Sequence, residues 1–65
     1  MLYDWKLVWK DFEGSEIWRT TNNYLFCQRE VKIYKYFDTY QKALDYANTP
    51  SLLKKAERIR NEKVL

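Results

Sequence analysis

Histidine is absent from this 65-residue chain, and cysteine, glycine and proline occur once each, as Cys27, Gly14 and Pro50. Each shortage closes a route. One cysteine cannot form an intrachain disulfide, so the chain is not a disulfide-stapled scaffold. Without histidine, the Cys/His sets that hold zinc cannot be assembled, and no metal is expected. A lone glycine excludes the glycine-rich loops that cradle phosphates, and no cofactor is expected. No run approaches the ~20 apolar residues that span a bilayer, so no membrane role is expected. The opening MLYDWKLVWKDF alternates and carries acids, unlike the apolar core of a signal peptide. An unpaired thiol without an export signal makes the cytoplasm the expected compartment.

Aromatic residues are plentiful: three tryptophans, six tyrosines and three phenylalanines. A single domain of this length buries only ~60% of the surface its unfolded chain exposes. Such domains usually need a disulfide, a metal or a partner to be stable. With the first two excluded, aromatic packing and self-association remain. Each ring covers about 150–250 Å², so a core this small cannot hide all of them. Some are expected on a working surface.

The net charge is +3, and it is unevenly placed. Six basic residues face six acidic ones up to residue 39, and six face three from residue 40 on, which sums to the 12 and 9 of the whole chain. The excess therefore lies in the C-terminal part. It either marks a basic binding surface or keeps a helix soluble and complements its dipole.

Tyr3, Trp5, Leu7 and Trp9 alternate with Asp4, Lys6, Val8 and Lys10, the period of a strand with one apolar face. Gly14 then supplies a hairpin loop, and 16–21 read as a second strand with Ile17 and Trp18 on opposite faces. After the turn-forming Thr20-Thr21-Asn22-Asn23, the stretch Tyr24–Arg29 fits either a strand or one helical turn. Residues 31–37 are a clearer strand, with Val31, Ile33, Lys35 and Phe37 on one face and Lys32, Tyr34 and Tyr36 on the other. Asp38 or Thr39 caps a helix over 39–48, which packs through Tyr40, Ala43, Leu44 and Ala47. Pro50, with Thr49 as cap, opens a second helix over 50–63. Its apolar stripe is Leu52, Leu53, Ala56 and Ile59. Lys54, Lys55 and Arg58 fall on the opposite arc, and Arg60 and Lys63 lie nearer the apolar edge.

The expected fold is α+β: an antiparallel sheet of three or four strands over about 2–37, with two C-terminal helices packed on one face. Its expected core is Trp5, Leu7, Trp9, Ile17 or Trp18, Val31, Ile33, Phe37, Leu44, Ala47, Leu52 and Ile59.

Catalytic chemistry has little to build on. Cys27 has no histidine to activate it, and Asp11, Glu13 and Glu16 match no calcium loop. No catalytic residue and no enzymatic activity are expected. Two binding functions remain. The first is docking onto a larger protein, because Trp and Tyr dominate interface hot spots. The size and composition suit an inhibitor or regulator of a host enzyme, of the kind phages and mobile elements encode. Homodimerisation through a strand edge or the second helix is a variant of it. The alternative is nucleic-acid binding, with rings stacking on bases and cations on phosphates. Its features are Lys32, Tyr34, Lys35 and Tyr36 on a strand, with Arg29 just before it, together with the basic arc. The candidate interaction surface is accordingly Lys32, Tyr34, Tyr36, Lys54, Lys55 and Arg58.

The stretch IYKYFDTYQKALDYA, with its Phe37-x-Thr39-x-x-x-Ala43 pattern, resembles the strand–helix unit of the hybrid-binding N-terminal domain of ribonuclease HI and related viroplasmin modules. The resemblance covers roughly half the chain. It implies a hairpin, a short helical turn at Asn22 to Cys27, then this strand and helix, gripping RNA-containing duplexes. The family's glycine-arginine pair after the first strand is missing, since Lys10-Asp11-Phe12 stands there.

Overall fold

The computed structural model describes residues 4–63. It contains β1 (Lys6–Lys10), β2 (Ser15–Thr20), β3 (Asn23–Gln28), β4 (Ile33–Phe37), α1 (Tyr40–Ala47) and α2 (Ser51–Lys63). The four strands form an antiparallel meander in the order β1-β2-β3-β4, and both helices pack against the same face of it. The fold is α+β, as expected. Tyr3 and the Lys63 side chain, which the alternation and the helix pattern had placed, lie outside what the structure describes.

Short-range chemistry sets the turns. Between β1 and β2, the Asp11 carboxylate accepts the amides of Glu13 at 3.0 Å and Ser15 at 2.9 Å. This closes a loop in which Gly14 sits at φ +88. A Cβ at Gly14 would meet nothing closer than Gln28 Nε2 at 3.9 Å. The cost of Gly14→Ala is therefore backbone strain alone, about 1–2 kcal/mol. A urea melt is expected to show a lowered midpoint with an unchanged slope.

The stretch Tyr24–Arg29 resolves as strand through Gln28, followed by a turn. β2 and β3 are joined by Thr21-Asn22, with Thr21 at φ +46, a left-handed position at which hairpins ordinarily place glycine or asparagine. The helical turn that the hybrid-binding resemblance implies at Asn22 to Cys27 is absent: Asn22 lies in the hairpin turn and Asn23 to Cys27 pair with β2.

Val31 and Lys32 lie in a turn, not in a strand. Gln28 Oε1 accepts the Glu30 amide at 2.9 Å, the Lys32 amide reaches Arg29 O at 3.2 Å, and Lys32 adopts φ +57. β4 consequently starts at Ile33. Within it the expected alternation holds, with Ile33 buried, Lys35 and Phe37 half-buried, and Tyr34 and Tyr36 exposed.

A register shift in β1 corrects its face. Leu7 pairs with Trp18 but Trp9 pairs with Ile17, so an extra residue, Val8, stands between them. A bulge of this kind moves the side chains that follow it to the opposite face. Trp9 joins the helix-covered side, whereas Leu7, expected in the core, is turned to the open side and is 43% exposed.

The core lies between the sheet and α1: Ile17, Phe26, Ile33, Ala43 and Ala47 are buried, with Trp9, Tyr24, Val31, Phe37, Leu44 and Tyr46 packed around them. Phe26 was not expected there, because its stretch had no assigned periodicity; Cys27, also buried, lies on the other face of the sheet. α1 is positioned by Thr39, whose Oγ1 accepts the Lys42 amide at 3.2 Å, an N-cap bond. Thr49 does not cap α2. Its hydroxyl donates back to Asp45 O at 3.1 Å, and the helix begins at Ser51.

Candidate functional site

α2 is seated the opposite way round from its hydrophobic pattern. Lys54, expected on an exposed basic arc, is only 5% exposed. Its Nζ donates to Ala47 O at 2.9 Å and lies 5.0 Å from the centre of the Phe26 ring. Ala47 is the last residue of α1, so its carbonyl has no helical donor and sits at the negative end of the helix dipole. A cation satisfies both. One turn on, Glu57 accepts from Lys35 Nζ of β4 and, at 2.7 Å, from the Tyr46 hydroxyl of α1. Those two donors hold the Glu57 carboxyl below the ordinary glutamate range. Burial, then the bond to Glu57, pushes the Tyr46 phenol well above its usual pKa.

The physical reason lies in what α1 leaves uncovered. Ala43 and Ala47 close over Ile17 and Phe26. The ground left for α2 is polar, made of Lys35, Tyr46 and the carbonyl end of α1. Lys54 and Glu57 answer it, and Arg58 is half-buried beside them. The stripe expected in the core therefore faces solvent, with Leu52 75%, Leu53 59% and Ile59 40% exposed. Exposed Lys55 and Arg60 flank it.

The other side of the sheet carries no helix. Cross-strand pairing lines up Leu7, Trp18, Leu25 and Tyr36 in one row across all four strands, and Lys10, Glu16, Cys27 and Tyr34 in the next. Tyr36 is 70% and Tyr34 55% exposed. Trp5 leans over the end of the sheet to within 6.2 Å of the Tyr36 ring. Together with Thr20 and Asn23 these two rings line a shallow depression of about 290 Å³.

The six candidate residues thus do not form one surface. Tyr34 and Tyr36 stand on the open sheet face, Lys32 on the turn before it, and Lys55 on α2 on the far side of the molecule. Lys54 is inside, and Arg58 is already engaged. The row Leu7–Trp18–Leu25 and the outward stripe of α2 are the surfaces that residue-by-residue reading missed. A strand at 24–28 would have revealed the first, since it fixes which residues share a face with Trp18.

Cys27 is buried, and its thiol points to Glu16 Oε1 at 3.6 Å. Burial, reinforced by the Glu16 carboxylate, pushes the thiol up and away from the reactive thiolate. Asp11 is occupied by turn amides, Glu13 accepts from Ser51 Oγ at 3.3 Å, and Glu16 accepts from Trp18 Nε1 at 3.2 Å. Among the described residues no three acids or cysteines converge as metal ligands, and no helix is long and apolar enough to cross a membrane. A groove of about 410 Å³ between the two loops and the start of α2 is lined by Glu13, Gln28, Glu30 and Lys54. Its Gln28 Nε2 already donates to Glu13 O at 2.7 Å.

Comparison with protein-family models, with curated proteins and with solved structures finds no match to this chain. The surfaces themselves therefore carry the functional argument.

Proposed function

We propose that this protein is a small non-enzymatic binding module that docks onto a larger protein through the outward stripe of α2. The orientation of α2 is the observation that carries this reading. A helix that turns Lys54 and Glu57 inward and leaves Leu52, Leu53 and Ile59 in water holds apolar surface in reserve. Anchors at i, i+4 and i+7, here Leu52, Ala56 and Ile59, are the spacing by which a helix enters a groove on its partner. Lys55 and Arg60 favour a groove with an acidic rim. Inhibition or regulation of a host enzyme, by a protein of phage or mobile-element origin working in the cytoplasm, is the role this size and composition suit.

The nucleic-acid alternative keeps one supporting observation, the exposed rings of Tyr34 and Tyr36. It loses another, because Lys54 is withdrawn from the basic arc and Arg58 is engaged within the fold.

The test is affinity capture from extract of cells that express the protein. Leu52→Glu/Leu53→Glu is expected to abolish a band that the parent chain retains. Its circular dichroism is expected to stay unchanged, because both side chains already face water. Capture of nothing specific, or of the same band by the double variant, would overturn the reading. Salt-sensitive retention on single-stranded DNA that disappears in Lys55→Ala would turn it towards nucleic acid.

A further inference from the structure

A sheet covered by helices on one side only leaves its other face to be explained, and here one row of that face is apolar across all four strands. The row Leu7–Trp18–Leu25–Tyr36 crosses four strands, a span of roughly 14 Å at ordinary strand spacing. Tyr36 is 70% and Leu7 43% exposed along it, and Tyr34 in the neighbouring row is 55% exposed.

We infer that a second copy of this chain covers the open face, the two sheets packing face to face as an isologous dimer. Three observations select this occupant. The first is area. The chain exposes 5163 Å², whereas a compact monomer of its 8.1 kDa mass exposes roughly 4,500 Å². The chain as a whole thus exposes an excess of roughly 700 Å², against the ~800 Å² that each partner surrenders in a standard interface.

The second observation is charge. The open face carries both signs, with Lys10 paired across the strands to Glu16 and Arg29 within 3.7 Å of the same carboxylate. These charges sum to +1 on each face and are largely paired within it, against +2 from Lys55 and Arg60 on the outside of α2. The outside of α2 shows Lys55 and Arg60 and no exposed acid among its described side chains, so two copies meeting there would oppose like charges.

The third observation is shape. A two-fold axis along the strands sets Trp18 of one copy on Leu25 of the other, and Leu7 on Tyr36. Apolar then meets apolar at every position of the row. The sheets would pack about 10 Å apart, as in other two-sheet folds. The dimer would also add a second apolar layer to a fold whose largest fully buried apolar side chains are Phe26 and Ile17, on the other face of the sheet.

Sedimentation equilibrium of the full chain tests this. The expected result is a mass twice the 8.1 kDa of the monomer at about 100 µM protein, within reach of an interface of this size. Tyr36→Lys and, separately, Leu7→Lys are expected to weaken dimerisation roughly 30-fold or more, as loss of a hot-spot residue does. Both positions are solvent-exposed in the single chain, and circular dichroism checks that each variant stays folded. Leu52→Glu is expected to keep the dimer mass, which separates this proposal from docking through α2. A monomer at every concentration would overturn the inference, as would a dimer dissolved by Leu52→Glu and untouched by Tyr36→Lys. A monomer that binds oligo-dT through Tyr36 would assign the face to single-stranded nucleic acid instead.

Discussion

Phe26→Ala is expected to lower the stability of the fold by about 3–5 kcal/mol, the largest loss of any single substitution considered. Phe26 is fully buried, paired across the sheet with Ile17 and Lys35. The Tyr46 ring meets it edge-on at 4.9 Å, and Lys54 Nζ lies 5.0 Å from its ring centre. Truncating a buried phenylalanine costs about 3–5 kcal/mol. At ~0.05–0.15 kcal/mol per residue, a domain of 65 residues has only about 3–10 kcal/mol in total. The substitution thus removes a third of the stability at best and all of it at worst. It also strips Lys54 of the aromatic face that helps hold its charge inside, so α1, α2 and the sheet lose a common contact. Near-UV circular dichroism and a urea melt are the measurements. Phe26→Leu, which keeps most of the volume, is expected to retain a cooperative transition at a lower midpoint. A Phe26→Ala variant melting like the parent would show that the core lies elsewhere.

The second large effect concerns the attachment of α2. Glu57 is the acceptor for both Lys35 of β4 and Tyr46 of α1. Glu57→Ala leaves two donors without their acceptor, and bonds to charged groups are worth about 1.5–3 kcal/mol each when shielded. Lys35 is 40% exposed, and solvent screening reduces its share. A total near ~2 kcal/mol is expected, which for a domain of this size lowers Tm by roughly 8–16 °C. The amides of α2 should exchange with solvent faster than those of α1, because α2 loses its tie to β4 and one of its two ties to α1, keeping only Lys54 on Ala47 O, while α1 keeps Ala43 and Ala47 in the core.

The same carboxylate makes the attachment pH-dependent. Its pKa in the fold lies below the ordinary glutamate value of 4.5, so the folded state favours the ionised form. The contribution is complete above that ordinary value and drains away as pH falls through the lowered one. Glu57→Gln is therefore expected to be less stable than the parent at neutral pH and to converge with it in acid. An equal difference at both ends of the pH range would remove Glu57 as the linking group.

If both binding proposals hold, the molecule has two faces with separate tasks. The open side of the sheet would bring two copies together, and the outward stripes of α2, on the opposite side of each chain, would each remain free to engage a partner. A dimer would then present two docking helices, and paired weak contacts reinforce one another when the geometry lets both engage.

Much of the architecture was legible in the residues. Local rules act over a few positions, so the Gly14 loop, the alternation from Ile33 to Phe37, the Thr39 cap and the Ala43/Ala47 face of α1 could be read from spacing alone. The sequence also determined the class of the fold, through the alternating runs up to residue 37 and the helical spacing after residue 39. Three matters were decided only by tertiary structure. Cross-strand pairing with β2 made Tyr24–Gln28 a strand, a choice its own short apolar run leaves open. The bulge at Val8 split Leu7 from Trp9, because register is set by the neighbouring strand. The orientation of α2 reversed the reading of its pattern. Hydrophobic periodicity predicts which side of a helix is apolar, and it assumes that the surface waiting for it is apolar too. Here that surface was the carbonyl end of α1, a lysine and a phenol, so Lys54 and Glu57 went inside and Leu52 and Leu53 stayed out.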